Sequence, residues 1–195
     1  MKRVLPLLVA AFALAAAGCG SHRTAVEMPT MTTSPTNGYA IQPPVKAPSF
    51  SLADQSGRRV GAQDDRGHWL VVTFMYTNCP DVCPLIADNL RAAMSRLPGL
   101  RAIAISVDPV HDTKAAVRRF LAQHRLPPAF RYVTGTEAQL RPVWAKYNVA
   151  ATAGPKATIS HSSYEVLIDP QGRERILFDA TMKAADLIRG VRALQ

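Results

Sequence analysis

An α/β domain, with a central sheet flanked by helices and a hairpin at its N-terminal end, is the fold class this sequence predicts. Three observations predict it. Apolar runs suited to buried strands alternate with stretches of helical period. Two strands joined by the turn Asp169-Pro170-Gln171-Gly172 follow the strand-helix units, and a helix closes the chain. A cysteine motif, Cys79-Pro80-Asp81-Val82-Cys83-Pro84, falls where the first long strand gives way to a helix.

The leader comes first. Met1-Lys2-Arg3 is a short basic region, and Val4 to Ala17 is an apolar stretch too short for a membrane-spanning helix. Ala16-Ala17-Gly18-Cys19 then resembles a bacterial lipoprotein signal, with Cys19 as the lipid-bearing first residue of the mature chain. Ala16 stands where such signals usually carry leucine. Residues 1–18 are therefore read as signal peptide. Residues 19–46, with Pro29, Pro35, Pro43 and Pro44 among Ser, Thr and Ala, show no apolar period. They read as a lipid-anchored flexible linker. His22, Met28 and Met31 are soft ligand types within it, and plain linker residues are the simpler reading.

A folded domain is expected over 47–195. Phe50-Ser51-Leu52-Ala53 alternates and Asp54-Gln55-Ser56-Gly57 turns, a hairpin signal. Leu70–Tyr76 reads as a buried central strand. Leu85 to Leu97 reads as a helix with Leu85, Ile86, Leu90, Ala93, Met94 and Leu97 on one face. Leu100–Val107 is the next strand. Thr113 to His124 is a helix that Asp112 or Thr113 can cap. Phe130–Val133 is a strand, and Glu137 to Tyr147 a helix with Leu140, Val143, Trp144 and Tyr147 inward. Strands at Tyr164–Ile168 and Arg175–Phe178 and a helix over Met182–Leu194 complete the chain. Strand-helix-strand, then hairpin, then helix is the thioredoxin-like pattern, with a peroxiredoxin-like outline and an insertion between its halves.

The formal net charge is +9, from 23 Lys+Arg against 14 Asp+Glu. The basic residues are scattered and no aromatic-studded basic stripe is present, which speaks against nucleic acid. An anionic membrane surface or an acidic partner fits the charge better. There are three cysteines. With Cys19 given to lipid, Cys79 and Cys83 remain as one pair, in an oxidising compartment if the chain is exported.

A helix N-terminus favours thiolate over thiol, so the junction suits a reactive or metal-binding cysteine. The spacing is one residue longer than the Cys-x-x-Cys of thioredoxin-like redox proteins. Pro80 and Pro84 stiffen the loop and bias Cys79 and Cys83 toward extended conformations. Pro84 also suits a first helical turn. Such a loop permits a Cys79–Cys83 disulfide, which needs Cβ atoms about 3.8 Å apart, and equally a metal chelate, which tolerates a wider gap. Of the histidines, His22 lies in the linker, His68 in a turn, His111 after a strand end and His124 on the polar side of a helix end. His161 differs. It lies in the small-residue loop Gly154–Ser163, before a strand expected beside the cysteine strand. A ligand and a hydrogen-bonded loop histidine are both open readings for it. Two thiolates and an imidazole suit Cu(I), or Cu(II) with a weak extra ligand. Zinc wants a fourth strong ligand, which Asp81 could supply.

From Ala47 to the C-terminus the chain resembles the Sco/SenC family of copper proteins. Four motifs in order carry the resemblance: Phe50-Ser51-Leu52-Ala53-Asp54-Gln55; Phe74-Met75-Tyr76-Thr77-Asn78 running into Cys79-Pro80-Asp81-Val82-Cys83-Pro84; Ser106-Val107-Asp108-Pro109 with Asp112-Thr113; and His161-Ser162 with Tyr164 and Asp169-Pro170-Gln171-Gly172-Arg173. The resemblance implies copper ligation by Cys79, Cys83 and His161. It implies delivery of copper to the CuA centre of cytochrome c oxidase, with the CuA-bearing subunit and a copper donor protein as partners. Ser160 replaces the Asp frequent before the ligand histidine. Members are often held by an N-terminal membrane helix, a purpose a lipid on Cys19 would serve on the periplasmic side of a bacterial membrane. A second reading makes Cys79 and Cys83 the redox pair of a thiol-disulfide reductase that keeps the oxidase cysteines reduced. A peroxidase is a poor fit. Peroxiredoxins need Thr three residues before the reactive Cys, where Cys79 has Tyr76 and Cys83 has Pro80.

Overall fold

Leu70-Val71-Val72-Thr73-Phe74-Met75 is buried along its whole length, as a strand covered on both faces requires. The structure is a computed structural model that describes residues 28–153 and 159–195. Its strands are β1 (Thr30–Ser34), β2 (Gly38–Lys46), β3 (Leu52–Asp54), β4 (Arg59–Val60), β5 (Trp69–Met75), β6 (Leu100–Ser106), β7 (Phe130–Thr134), β8 (Ala151–Ala153), β9 (Ile159–His161), β10 (Tyr164–Ile168) and β11 (Arg173–Asp179). Its helices are α1 (Val82–Arg96), α2 (Lys114–Gln123), α3 (Glu137–Lys146) and α4 (Ala184–Ala193). Nine strands form one sheet in the order β1-β2-β11-β10-β5-β6-β7-β3-β4. β5, β6 and β7 run parallel, and β10 pairs antiparallel with β5, Glu165 opposite Thr73. The strand after the His161 loop thus neighbours the cysteine strand, as expected.

Helices cover both faces. Gly190 of α4 lies so close to the sheet that an added Cβ would stand 3.1 Å from Ile176 and 3.3 Å from Phe178. On the other face Tyr147, at the end of α3, packs on Phe74 with ring centroids 5.4 Å apart. Thr113 caps α2 by accepting from the Ala116 N–H, and Thr136 caps α3 in a reciprocal box with Gln139. At the end of the sheet away from the cysteines, buried Asp65 pairs with Arg101 at 3.0 Å and with Arg131, tying the chain before β5 to β6 and β7.

The structure corrects two expectations. Residues 30–46 are not a free linker, for β1 and β2 form an antiparallel hairpin whose second strand pairs with β11. The prolines that argued against a strand sit where the ladder is interrupted. Val45 faces Glu174 and Ala40 faces Ile176, so Pro43 and Pro44 occupy a stretch that skips pairing. There the missing N–H costs no ladder hydrogen bond. Asn37 makes the turn with φ 58°. At Gly38 a Cβ would meet Ile176 and Phe178 at 2.8 Å, so the hairpin seats only with glycine there. The second correction concerns His124. It is buried rather than solvated, with its ring 4.5 Å from that of Phe120 and Nδ1 3.2 Å from Asp88.

Candidate metal centre

The cysteine loop leaves β5 at its C-terminal end and enters α1 at Val82. Cys79 and Cys83 are both free thiols and both buried, Cys83 completely. Cys83 lies inside the first turn of α1, not in the extended conformation that Pro84 was expected to impose. Pro84 still falls in that first turn, where an N–H has no intrahelical partner. Asp81 is exposed at the N-cap and its side chain makes no capping bond there.

The two sulfurs share one proton. A hydrogen bond from the Cys83 thiol, helped by the backbone N–H groups of Asp81 and Cys83 and the Tyr76 side chain, pulls Cys79 well below the ordinary thiol range despite burial. The same hydrogen bond, with burial and the nearby Asp112 carboxylate, pushes Cys83 far up. Cys79 is the thiolate of the pair and Cys83 its proton donor. At pH 7 a thiol alkylating agent should therefore modify Cys79 first, and Cys79 should lose its reactivity only under acid conditions. Peptide mapping after brief labelling across pH 4–9 checks this, and equal labelling of both cysteines at pH 7 contradicts it.

Asp112 holds the loop from below. Its carboxylate accepts the Thr77 N–H at 2.8 Å, the Thr77 hydroxyl at 2.7 Å, the Ser106 hydroxyl at 2.6 Å and the Tyr132 hydroxyl at 2.8 Å. Burial raises its pKa against these four donors. Sequence reading offered Asp112 as a helix cap; Thr113 takes that role, which frees Asp112 to brace the cysteine loop. His111 turns instead to Asp108, Nδ1 to Oδ2 2.8 Å, and His68 to Arg101 at 2.8 Å. Met31 is exposed on β1 and Met28 just before it, while Cys19 and His22 lie outside the described residues.

His161 ends β9, opposite Ala151 of β8, in a two-stranded ribbon separate from the main sheet. Its Nδ1 stands 2.9 Å from the Ser162 carbonyl. An Nδ1–H donated there leaves Nε2 with its lone pair, the tautomer a metal ligand needs. Its ring stands edge-on to Tyr76, centroids 5.9 Å apart. The structure thus brings Cys79 and Cys83 together and places His161 across the Tyr76 ring. Among the described residues no group of three or more His, Cys, Asp or Glu side chains is closed into a metal cage. The donor types themselves, two cysteine sulfurs and an imidazole nitrogen, are those a soft metal ion selects. Tyr76 and Asp112 escaped the sequence reading as functional residues. The readable signal for Tyr76 was its position, last before the cysteine loop.

The chain is 32% identical over 154 residues to the mitochondrial SCO2 homolog of Bos taurus, and 32% identical over 144 residues to the human mitochondrial SCO1 homolog. These alignments cover 73% and 68% of this chain but 57% and 47% of the relatives, so the chain spans about half the length of those proteins. Among solved structures it is similar to Arabidopsis thaliana ScoI with copper bound, at 26% identity and TM-score 0.69, covering 75% of this chain and 96% of that one. It is also similar to Bradyrhizobium japonicum ScoI with copper bound, at 29% identity and TM-score 0.64, covering 77% and 100%. The SCO1/SenC family model matches residues 39–195, which takes in β2, the cysteine loop, the Asp112 brace and His161 together, and the chain belongs to that family.

Proposed function

We propose that this chain binds copper outside the cytoplasm and delivers it to the CuA centre of cytochrome c oxidase during assembly. The observation that carries the reading is the Cys79–Cys83 pair at the N-terminus of α1, already divided into a thiolate and a proton donor, with the His161 imidazole edge-on to Tyr76, the residue that leads into the cysteine loop. The copper in the two Sco structures at 26% and 29% identity supports the choice of metal. Copper is cargo here. Cys79 binds as it stands, Cys83 releases its proton on binding, and His161 supplies a neutral nitrogen. The half-buried site limits water while leaving an edge for a donor protein and for the CuA-bearing subunit. Metal analysis of the reduced protein tests the reading. One equivalent of copper, with a thiolate-to-copper absorption band in the Cu(II) form and transfer to a copper-free CuA subunit, is the expected result. Absence of that band, or retention of copper against the subunit, sinks it.

The same split pair favours a second reading, a thiol-disulfide reductase for the oxidase cysteines. The Cys79 thiolate attacks a disulfide sulfur of the partner and displaces one partner thiolate. Cys83, giving up its proton, then attacks Cys79 in the mixed disulfide. The second partner thiol leaves reduced and a Cys79–Cys83 disulfide remains. A Cys83→Ser variant that traps the partner through Cys79 identifies this route.

For location, the reading is a lipoprotein anchored through Cys19 on the periplasmic side of a bacterial membrane. One acyl chain holds a protein only marginally, so the several chains of a mature lipoprotein matter. A Cys19→Ser variant should leave the membrane fraction. If it sediments with membranes as fully as the wild type, the lipid is not the anchor.

A further inference from the structure

A groove of about 420 Å³ runs between α1 and α4, outside the metal centre. Ala92, Ala185 and Ile188 give it a small apolar lining, and Arg96, Arg189 and Arg192 give it three guanidinium groups. All three arginines are exposed, and among the described residues no carboxylate lines the groove. Asp186 is close, but its carboxylate is buried, accepts the Lys183 N–H at 2.9 Å and pairs with Arg189. Arg96 and Arg192 have no hydrogen bond or ion pair among the described residues. Each stands in the last turn of its helix, where a cation is favourable without any ligand. The helix ends do not explain why two such cations share one apolar groove with a third.

We propose that the α1–α4 groove seats the phosphate of an anionic phospholipid, so that the tethered domain rests on the membrane by this face. Only the tether rests on the lipoprotein reading above. Met28, the first described residue, is nine positions after Cys19, and such a span reaches at most about 30 Å. A lipid on Cys19 therefore keeps the domain within about one domain diameter of the bilayer. Guanidinium groups pair with phosphate through parallel N–H···O bonds. An anionic lipid carries both that charge and the adjoining hydrocarbon that the apolar lining matches. Each arginine near an anionic surface strengthens binding about 5-fold. Two or three of them orient a tethered domain and are too few to hold an untethered one, so Cys19 remains the anchor. Cys83 and Arg96 lie on the same helix, about 20 Å apart along its axis. A headgroup held at the Arg96 end leaves the cysteine loop clear for a protein partner.

The test places the full lipidated chain in vesicles of phosphatidylcholine alone and of phosphatidylcholine with phosphatidylglycerol. Arginine labelling by phenylglyoxal is followed by peptide mapping. Arg96, Arg189 and Arg192 should react about 10-fold more slowly on the phosphatidylglycerol vesicles. Exposed Arg58, between β3 and β4, should react equally on both. Salt at roughly 1 M, which shortens the screening length to about 3 Å, should remove the difference. In Arg96→Gln/Arg192→Gln the loss of two charges weakens seating about 25-fold, and the slowing at Arg189 should vanish. Equal labelling on the two vesicles overturns the proposal. Equal slowing on both does so too, as does slowing at Arg189 that survives in the double variant. If inorganic phosphate on phosphatidylcholine vesicles slows the three arginines as much, free phosphate is the ligand and the lipid assignment is overturned. If Cys19 carries no lipid, the lipoprotein reading falls. The unlipidated chain mixed with excess phosphatidylglycerol vesicles then judges the groove by the same labelling, slowing supporting it and full reactivity overturning it.

Discussion

If Cys79 and Cys83 ligate copper as proposed, replacing either by serine should abolish copper binding. Serine offers a hard, protonated oxygen where a soft thiolate stood, and the Cu(I) site depends chiefly on thiolate donation. The loss in affinity should exceed about 100-fold, the upper end of what even an outer-shell change can cost. The two variants should differ in stability. Cys79 is at the edge of the core, 9% exposed, whereas Cys83 is fully enclosed. A serine hydroxyl at Cys83 loses the Cys79 thiolate's preferred donor geometry and sits among apolar neighbours, at a cost of about 1–3 kcal/mol if unpaired. His161→Ala should behave differently, keeping Cu(I) and losing most of its hold on Cu(II), since imidazole matters more to the oxidised ion. Metal content per chain after desalting, measured for both oxidation states, checks all three. Full copper occupancy in either serine variant refutes the ligand assignment.

Glu165 should make the protein lose stability as the pH rises. Its side chain is fully buried beneath α4, with Thr73 Oγ1 at 3.3 Å from Oε1 and, among the described residues, no partner for Oε2. Burial pushes this carboxyl up to about 8, only partly offset by the Thr73 hydrogen bond and reinforced by Asp179. The folded pKa lies above the unfolded one. The folded protein therefore holds a proton that the unfolded chain releases near pH 4.5, and stability falls from there up to pH 8, then levels. Between pH 5 and pH 9 the loss is about 3 pKa units, on the order of 4 kcal/mol at about 1.4 kcal/mol per unit. For a chain of this size that lowers the melting temperature by roughly 10 °C. Glu165→Gln is neutral throughout and should lack this slope. Parallel melting profiles for wild type and Glu165→Gln across that range would show that the carboxyl is not held neutral in the fold.

Much of the central architecture was legible because its signals are local. Leu70–Tyr76 and Leu100–Val107 are continuous apolar runs, and the helix over Leu85–Leu97 repeats its apolar residues at helical spacing. The structure places β5, β6 and α1 on these segments. The first hairpin was not legible in the same way. Strand β1 is almost wholly exposed and β2 carries Pro43 and Pro44, so neither shows an alternating pattern. The pairing of β2 with β11 depends on a partner more than a hundred residues away. Asn37-Gly38 was the one local turn signal there.

The sequence by itself determined the chemistry of the proposed donors. Two cysteines at a strand-helix junction and a histidine before the neighbouring strand are residue types and positions, and these are written in the chain. Only the tertiary structure decided what each donor is. Cys79 becomes the thiolate because the Cys83 thiol and two backbone N–H groups converge on it, while Cys83 keeps its proton because of its hydrogen bond to Cys79, its burial and the negative charge of Asp112. Asp112 became the brace of the loop, and the Tyr76 ring came to stand beside His161, through contacts between segments far apart in the chain. A pKa, a tautomer and a hydrogen bond to a ligating group are set by what lies within a few ångströms in space, and folding brings those groups together from distant parts of the chain.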